Sequence, residues 1–508
     1  MITFDFTSSS FEKWKYLELN RKTRGKTNIQ NPELGKIKVD FVCDDGKEYS
    51  CIYYHKTKEE VYDKIKSGES IDLNYSYVKD FNITRAVSIS NRKLRWFSAG
   101  FSFWDGSANF EHCDFVNPFT DFKGANFCGE NVNFSSANFK DTFIDFTCAN
   151  FESEEVDFVG VKFGDRGCVF SKANFGNSRV SFDEAQFSKG AKAFDKITLL
   201  NGILRFFAAS FGDGSLIFDF ANLEESKVYL DSSIFEDGLI SFENANVEKG
   251  ILSFKETRLK KSNLSLLKVD AKQILFDSVK FENYTDLRIG DVEELIIENC
   301  IVEKAIVFNS IDTNIKKMSL AGTINLGLIY IDWDKNNVKK AIKEYSNMQE
   351  GKKGRIKEKR APRASRAEQY KMLKENFKSL GNYDDEEKAY REYMKNKTLG
   401  FPGSILRIFG PIGSYGTKPF SILLFSALIV VVFGLGYNAL GAMPALNAVF
   451  TNPIISSVYY SAVSFLTMGI GSAIPQSQAV AVLSVFEGFI GLVLMIYFTI
   501  SLVRKIFR

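Results

Sequence analysis

The chain has 508 residues, with 65 Lys and Arg against 62 Asp and Glu, and a formal net charge of only +3. An apolar fraction of 45% and a charged fraction of 25% exclude a wholly disordered chain, and the small net charge gives no bulk pull toward a polyanion. These averages hide strong segregation: residues 419–503 contain no Lys, Arg or Asp and a single Glu, which excludes a water-soluble surface for that stretch.

The first residues, MITFDFTSSSFEKW, have no cationic start, no apolar run and no small-residue cleavage site, so no signal peptide is expected. The Cys count is odd, at seven (Cys43, Cys51, Cys113, Cys128, Cys148, Cys168 and Cys300), and no CxxC occurs, which reads as reduced thiols in a cytosolic domain. With two His, neither a zinc site nor a His-based catalytic set is expected, and no nucleophile–base pair suggests an enzyme. Residues 1–100 read as a mixed module. A short helix is expected over Phe11–Leu19, strands over Lys36–Val42 and Tyr49–Tyr54 about the turn Asp44-Asp45-Gly46, and a helical turn over Val61–Ile65. Because a stack of strands exposes an open edge, this module is expected to cap the region that begins at residue 101.

From residue 101 the sequence repeats. Apolar residues recur in alternating steps of five and seven from Phe110, Phe115, Phe122 and Phe127 through Phe254 and Leu259, filling 26 of 26 positions, 21 of them with Phe. The two steps together make a period of twelve, and a fixed period signals a solenoid. Two residues before each stands a second inward position. It is small in one set (Ala125, Ala137, Ala149, Ala173) and larger in the other (Val132, Ile144, Val156, Val180). A spacing of two puts both side chains on one face of an extended segment, whereas steps of five and seven hold no helical stripe. The reading is a β-solenoid with ladders of stacked side chains.

Units such as Ala125-Asn126-Phe127 and Ala173-Asn174-Phe175 resemble the pentapeptide-repeat family, whose signature is A-(N/D)-(L/F)-x-x. The resemblance implies a right-handed four-sided β-helix with five residues per side. It covers about residues 101–285 well and reaches about 333 loosely. Every second side is seven residues long here, so a 24-residue coil is expected, with a flat two-sided 12-residue coil as the alternative. The 13 repeats from Phe103 to Leu259 would then stand roughly 30 Å or roughly 60 Å tall at one strand spacing per coil. After Leu259 the register loosens, and Ile331-Asp332-Trp333 is expected to close the solenoid. Residues 101–333 carry 36 Asp and Glu against 23 Lys and Arg. A solvated acidic exterior explains this, and a DNA mimic is the rival reading.

Residues 334–400 form the next expected segment, a basic linker and helical hairpin. Across 334–418 the charge inverts, with 21 Lys and Arg against 11 Asp and Glu. Gly351 to Arg363 reads as a mobile linker beside anionic lipid. Nucleic acid is not an expected partner, because interleaved aromatics are missing. Ser365 to Glu368 fits a capping box for a helix striped by Tyr370, Leu373, Phe377 and Leu380 and stopped by Gly381. A second helix is expected over Asp384–Lys397. The pattern resembles the hairpin that often joins pentapeptide repeats to a membrane pore.

Residues 401–508 are expected to form an interfacial segment and a membrane domain. Spans are predicted over about 420–440 and 479–503, each long enough for a hydrocarbon core of about 30 Å. The basic residues Arg407, Lys418, Arg504, Lys505 and Arg508 flank them, and the connection has none, so solenoid and C-terminus should both be cytoplasmic at the plasma membrane. The 13-residue stretch 454–466 is too short to span and reads as a re-entrant helix. Thr467-Met468-Gly469-Ile470-Gly471-Ser472 comes next. Gly at alternate positions lets successive carbonyls face one side, where rings of carbonyls can replace an ion's hydration shell.

Residues 415–508 closely resemble the two-span pore domain of potassium channels, whose filter reads T-x-G-Y-G-D. Val458 to Ser461 match its pore-helix start. Thr467, Gly469 and Gly471 match its filter, Pro475 follows as usual, and Glu487 with Gly491 match the second span's E-x-x-x-G. Ile470 and Ser472 replace the Tyr and Asp. The resemblance implies potassium or another monovalent cation held at Thr467, Met468, Gly469 and Ile470, with Met468 and Gly471 completing the filter. It also implies a homotetramer, since one chain supplies one quarter of a pore. Glu487 is expected to support the filter, and Ser472, Gly488 and Gly491 are support or hinge candidates. Without an Arg-rich voltage sensor, control is expected from a ligand, protein or lipid acting through the cytosolic region. Two other classes remain open: a membrane-anchored solenoid scaffold, and an effector that depolarises the membrane without selective conduction.

Overall fold

The computed structural model describes residues 2–8, 12–309, 314–351, 360–397, 410–441, 452–467 and 477–506. The chain divides into two compact units, Met1–Met372 and Leu373–Arg508.

The first unit is a β-solenoid in which one coil takes 24 residues, the separation of Asn126 and Asn150. Asn126 pairs in parallel with Asn150, Val132 with Val156, Asn138 with Lys162, and Ile144 with Cys168. Four short strands per coil thus build four faces, and the flat 12-residue coil is excluded. One face alone stacks 11 strands, from Lys93–Leu94 to Ile324–Asn325. The stack starts before residue 101: strand Ser76–Asn82 pairs in parallel with Phe103–Asn109 and forms part of an earlier coil.

Phe dominates because its ring fits the strand spacing. Phe110, Phe134, Phe158, Phe182 and Phe206 form one column with successive centroids 4.9, 5.1, 4.7 and 5.0 Å apart, and their rings lie within 10° of parallel. Rings one repeat apart meet across the core instead, edge to face, as Phe134 meets Phe146 at 5.6 Å and 82°. Both geometries suit the ring quadrupole. All 26 ladder positions are buried.

The corners need a left-handed residue once per repeat. His112, Ser136, Cys148, Lys172, Glu184 and Lys196 have φ between 54° and 60°, and Gly124 and Gly160 fall in the same register. The amide of Ala137 donates to the Phe134 carbonyl at 2.9 Å across one such corner, as in a type II turn. Past Leu259 the coil shortens. Arg258 pairs with Lys280, and Lys280 with Ile301, two and then three positions short of the earlier interval. That change is the reason the sequence register loosens there.

The N-terminal residues both extend the first edge and lie along the flank. Strand Glu48–Lys56 pairs in parallel with Ser76–Asn82, adding a strand beyond the first coil. Strands Lys36–Cys43 and Glu48–Lys56 form the expected antiparallel pair. Asn126, Asn150 and Asn174 form a buried amide ladder. Its lower end donates to the Tyr16 hydroxyl at 2.7 Å and its upper end to the Thr23 carbonyl at 3.0 Å. At the other end, helix Val338–Gly351 covers the last coil with Val338, Ala341 and Ile342, beside Trp333. Gln369 accepts the Leu320 amide at 2.9 Å, so the final coil's backbone is satisfied by a side chain.

One expectation is corrected here. The helix carrying Tyr370 and Phe377 starts at Arg360, so Ser365 and Glu368 lie inside it and form no capping box. Of the stretch expected to be a mobile linker, Gly351 to Arg363, Gly351 and residues from Arg360 on are helical, and 352–359 lie outside the described residues. All seven Cys are free and buried.

The ladder has one unexpected occupant. Lys192 is buried between Cys168 and Leu216, and its ammonium donates to the Asp213 carbonyl at 2.7 Å. Burial pushes its pKa down from 10.5 to about 8. The charged form is therefore penalised in full below pH 8. Between about 8 and 10.5 only the unfolded chain holds the proton, so stability rises with pH. Lys192→Met should raise the solenoid's melting temperature at pH 7 and remove that alkaline rise, as read by circular dichroism of the full chain in detergent. Phe158→Ala, which breaks a column at its centre, should cost about 3–5 kcal/mol in denaturant unfolding.

Candidate functional site

Three helices of the second unit carry the site: Pro419–Ala439, Pro453–Phe465 and Gln478–Ile506. The two outer ones are long and apolar enough to cross a membrane. The middle one begins sharply. The Asn452 side chain accepts the Ile454 amide at 2.9 Å, and Pro453 occupies the first helical position. Thirteen residues reach only about 20 Å, so this helix cannot cross a core of about 30 Å.

Two glycines set how closely the short helix is gripped. A Cβ on Gly434 of the first span would lie 2.8 Å from Val458 Cα, and one on Gly491 of the second would lie 2.0 Å from the Phe465 carbonyl oxygen. Gly491 is thus a close-packing position. Gly488 is more open, with the Ser464 carbonyl oxygen 3.3 Å from its Cβ position. Ile422, Phe465 and Leu494 close the packing below, and Tyr437, Tyr460 and Val480 close it above.

Glu487, the single acid of the apolar stretch, is fully buried among these helices. It accepts from the Tyr437 hydroxyl at 2.8 Å and is bonded to the Ser461 hydroxyl, which also lies 2.8 Å from the Val430 carbonyl. Tyr437 meets Tyr460 edge to face at 5.0 Å. One carboxyl group therefore joins the first span, the short helix and the second span, and its burial is compensated by hydrogen bonds. Tyr437 was not singled out by the sequence. The signal available was a lone phenol in an apolar span, facing an equally lone acid.

The chain beyond the short helix turns at Thr467, whose φ is 51° and whose amide donates to the Ser464 carbonyl at 3.1 Å. Of the sequence-predicted residues, Glu487, Gly488 and Gly491 come together on the face of the second span that meets the short helix, and Thr467 follows that helix's end. Met468, Gly469, Ile470, Gly471 and Ser472 lie outside the described residues, as does the expected interfacial stretch 401–409. Among the described residues, no cluster of His, Cys, Asp and Glu could hold a metal ion.

Residues 420–508 match the family model Ion_trans_2, described as "Ion channel". The chain carries an ion-channel domain at its C-terminus. No curated protein and no solved structure matches the chain significantly. The channel domain and its two apolar helices make this a membrane protein, with a β-solenoid N-terminal to the channel.

The grip on the short helix orders two substitutions by severity. Gly491→Ala forces Phe465 to move and should abolish ion flux in reconstituted protein, whereas Gly488→Ala, with more room, should keep at least a third of it. Equal flux from both would remove the close-packing role of Gly491.

Proposed function

We propose that the chain is one subunit of a homotetrameric cation channel that conducts potassium, with the solenoid as its cytosolic regulatory domain. The observation carrying this reading is the short helix held between two spans and ending at Phe465, two residues before Thr467, after which the sequence runs Met468-Gly469-Ile470-Gly471. Carbonyls of such a segment, one copy from each of four subunits, would strip and replace the hydration shell of a monovalent cation. The Ile470 side chain cannot hydrogen-bond as the family's Tyr does, and the Tyr437–Glu487–Ser461 bonds supply polar support to the short helix among the described residues.

Assembly is supported by an uncovered apolar stripe on the second span. Val482, Val485, Phe489, Leu492, Ile496 and Ile500 are all exposed, at helical spacing, on a face that the other described helices leave bare. Lipid or an identical second span would cover it, and four second spans around an axis would line an inner cavity. The plasma membrane is the proposed location, with both the solenoid and the C-terminus in the cytoplasm and anionic lipid near the basic residues of 351–363. For a regulatory ligand or protein the solenoid offers a groove of about 940 Å³ between the N-terminal strand Thr23–Glu33 and the coil flank. Arg24, Lys26, Glu130, Glu152, Asn174 and Ser178 line it.

The test is potassium against sodium flux in proteoliposomes, wild type beside Gly469→Ala. Potassium-selective flux, reduced at least tenfold in the variant, is the expected result. Non-selective flux lost in the variant would keep the filter and assign relaxed selectivity to Ile470. Flux unchanged by the substitution would favour a membrane-depolarising effector, and absence of flux from both would favour a scaffold.

A further inference from the structure

Near the lower end of the second span, Arg504 meets the hairpin helix that the proposed function places in the cytosol. Helix Tyr383–Asn396 begins at Asn382, just after Gly381, whose φ of 70° reverses the chain. The Asn382 and Gly381 amides donate back to the Phe377 and Lys378 carbonyls at 2.9 and 3.1 Å, so the hairpin has a defined turn. The face of Tyr383–Asn396 that carries Glu386 and Tyr390 meets Arg504, two residues from the end of helix Gln478–Ile506. The guanidinium carbon lies 3.6 Å from the Tyr390 ring centroid, and a terminal nitrogen lies 3.4 Å from a Glu386 carboxylate oxygen. Glu386 is buried, and the Arg504 side chain is about three-quarters so.

A planar cation stacked on a ring and paired with a buried carboxylate has one good position. A guanidinium meets both partners at once, which an ammonium cannot do with the same geometry. If the second span's lower end leans or turns, Arg504 either carries the hairpin helix with it or leaves both partners together. Interactions that break together give two discrete states rather than a continuum.

We propose that Arg504, Tyr390 and Glu386 form a clasp that couples the cytosolic hairpin to the gate at the base of the second span. The proposal rests on the channel reading above. The clasp acts on the open–closed equilibrium and not on the permeation path, so it changes how often the pore opens and leaves unit conductance and selectivity alone. Because the three side chains work as one joint, removing any one of them removes the same coupling.

Single-channel recording of the full chain in planar bilayers tests this with Arg504→Gln, Tyr390→Leu, the double variant, and Tyr390→Phe, which keeps the ring. The expected result is an open probability shifted at least threefold, in the same direction, by each of the first two. The double variant should resemble either single one, Tyr390→Phe should match wild type, and all should share one conductance and one potassium-to-sodium ratio. Should Arg504→Gln fail to assemble, Arg504→Lys, which keeps the charge and loses the planar stack, takes its place. Open probabilities unaffected by the variants, or effects of the two that multiply, would overturn the clasp while leaving the channel intact. Absence of current from the wild type would overturn the channel reading and the clasp with it.

Discussion

Parallel strands can stack only at about 4.8 Å, and every inward residue of the solenoid must fill that interval and no more. A phenyl ring lying on its equivalent one coil away does so, as the 4.7 to 5.1 Å column through Phe158 demonstrates. Because the spacing is fixed by backbone hydrogen bonds, ring and ladder reinforce each other, and the same residue type is favoured at coil after coil. Small residues such as Ala149 and Ala173 then follow the left-handed corner residues Cys148 and Lys172 and point into the core two positions before a ring. The ladder also tolerates a Lys at position 192, because its four-carbon stem fills the column while its ammonium reaches a backbone carbonyl.

The membrane unit obeys a different constraint. No water is available to satisfy a polar group in hydrocarbon, so every such group must find its partner within the protein. Glu487, Tyr437 and Ser461 meet that demand jointly, and in doing so they fix the short helix against both spans. Glycines do the rest: Gly434 and Gly491 replace side-chain contact with backbone contact where the helices cross. The polar tie and the glycine contacts lie along the short helix, and Arg504 meets the hairpin near the span's last turn.

Much of this was legible beforehand, for reasons specific to each element. The Phe ladder was readable because a repeat multiplies a weak local signal 26 times. The spans were readable because residues 419–503 hold a single charge, a composition that a water-exposed chain does not have. The short helix was readable because its 13-residue apolar run is too short to span and lies between two runs that are long enough. Helix starts were harder. Ser365 and Glu368 have the spacing of a cap, yet the helix runs on to Arg360, because a capping pattern inside a helix costs little and looks the same in sequence. The N-terminal module's bonds to the flank were invisible, since Tyr16, Asn20 and Thr23 meet residues more than 100 positions away.

The sequence by itself determined the solenoid's inward positions, the spans and the segment between them, because periodicity and hydropathy are local properties that survive without a partner. It left open whether one repeat or two make a coil, since both give every Phe the same neighbours along the chain. Tertiary structure decided that, through rings that lie parallel when two repeats apart and edge-on when one repeat apart. It also decided that Gly491 packs against a carbonyl, that Tyr437 reaches Glu487 across 50 residues, and that Arg504 sits on Tyr390. Each of these is a contact between distant residues whose geometry depends on how whole helices cross, which no window of sequence contains.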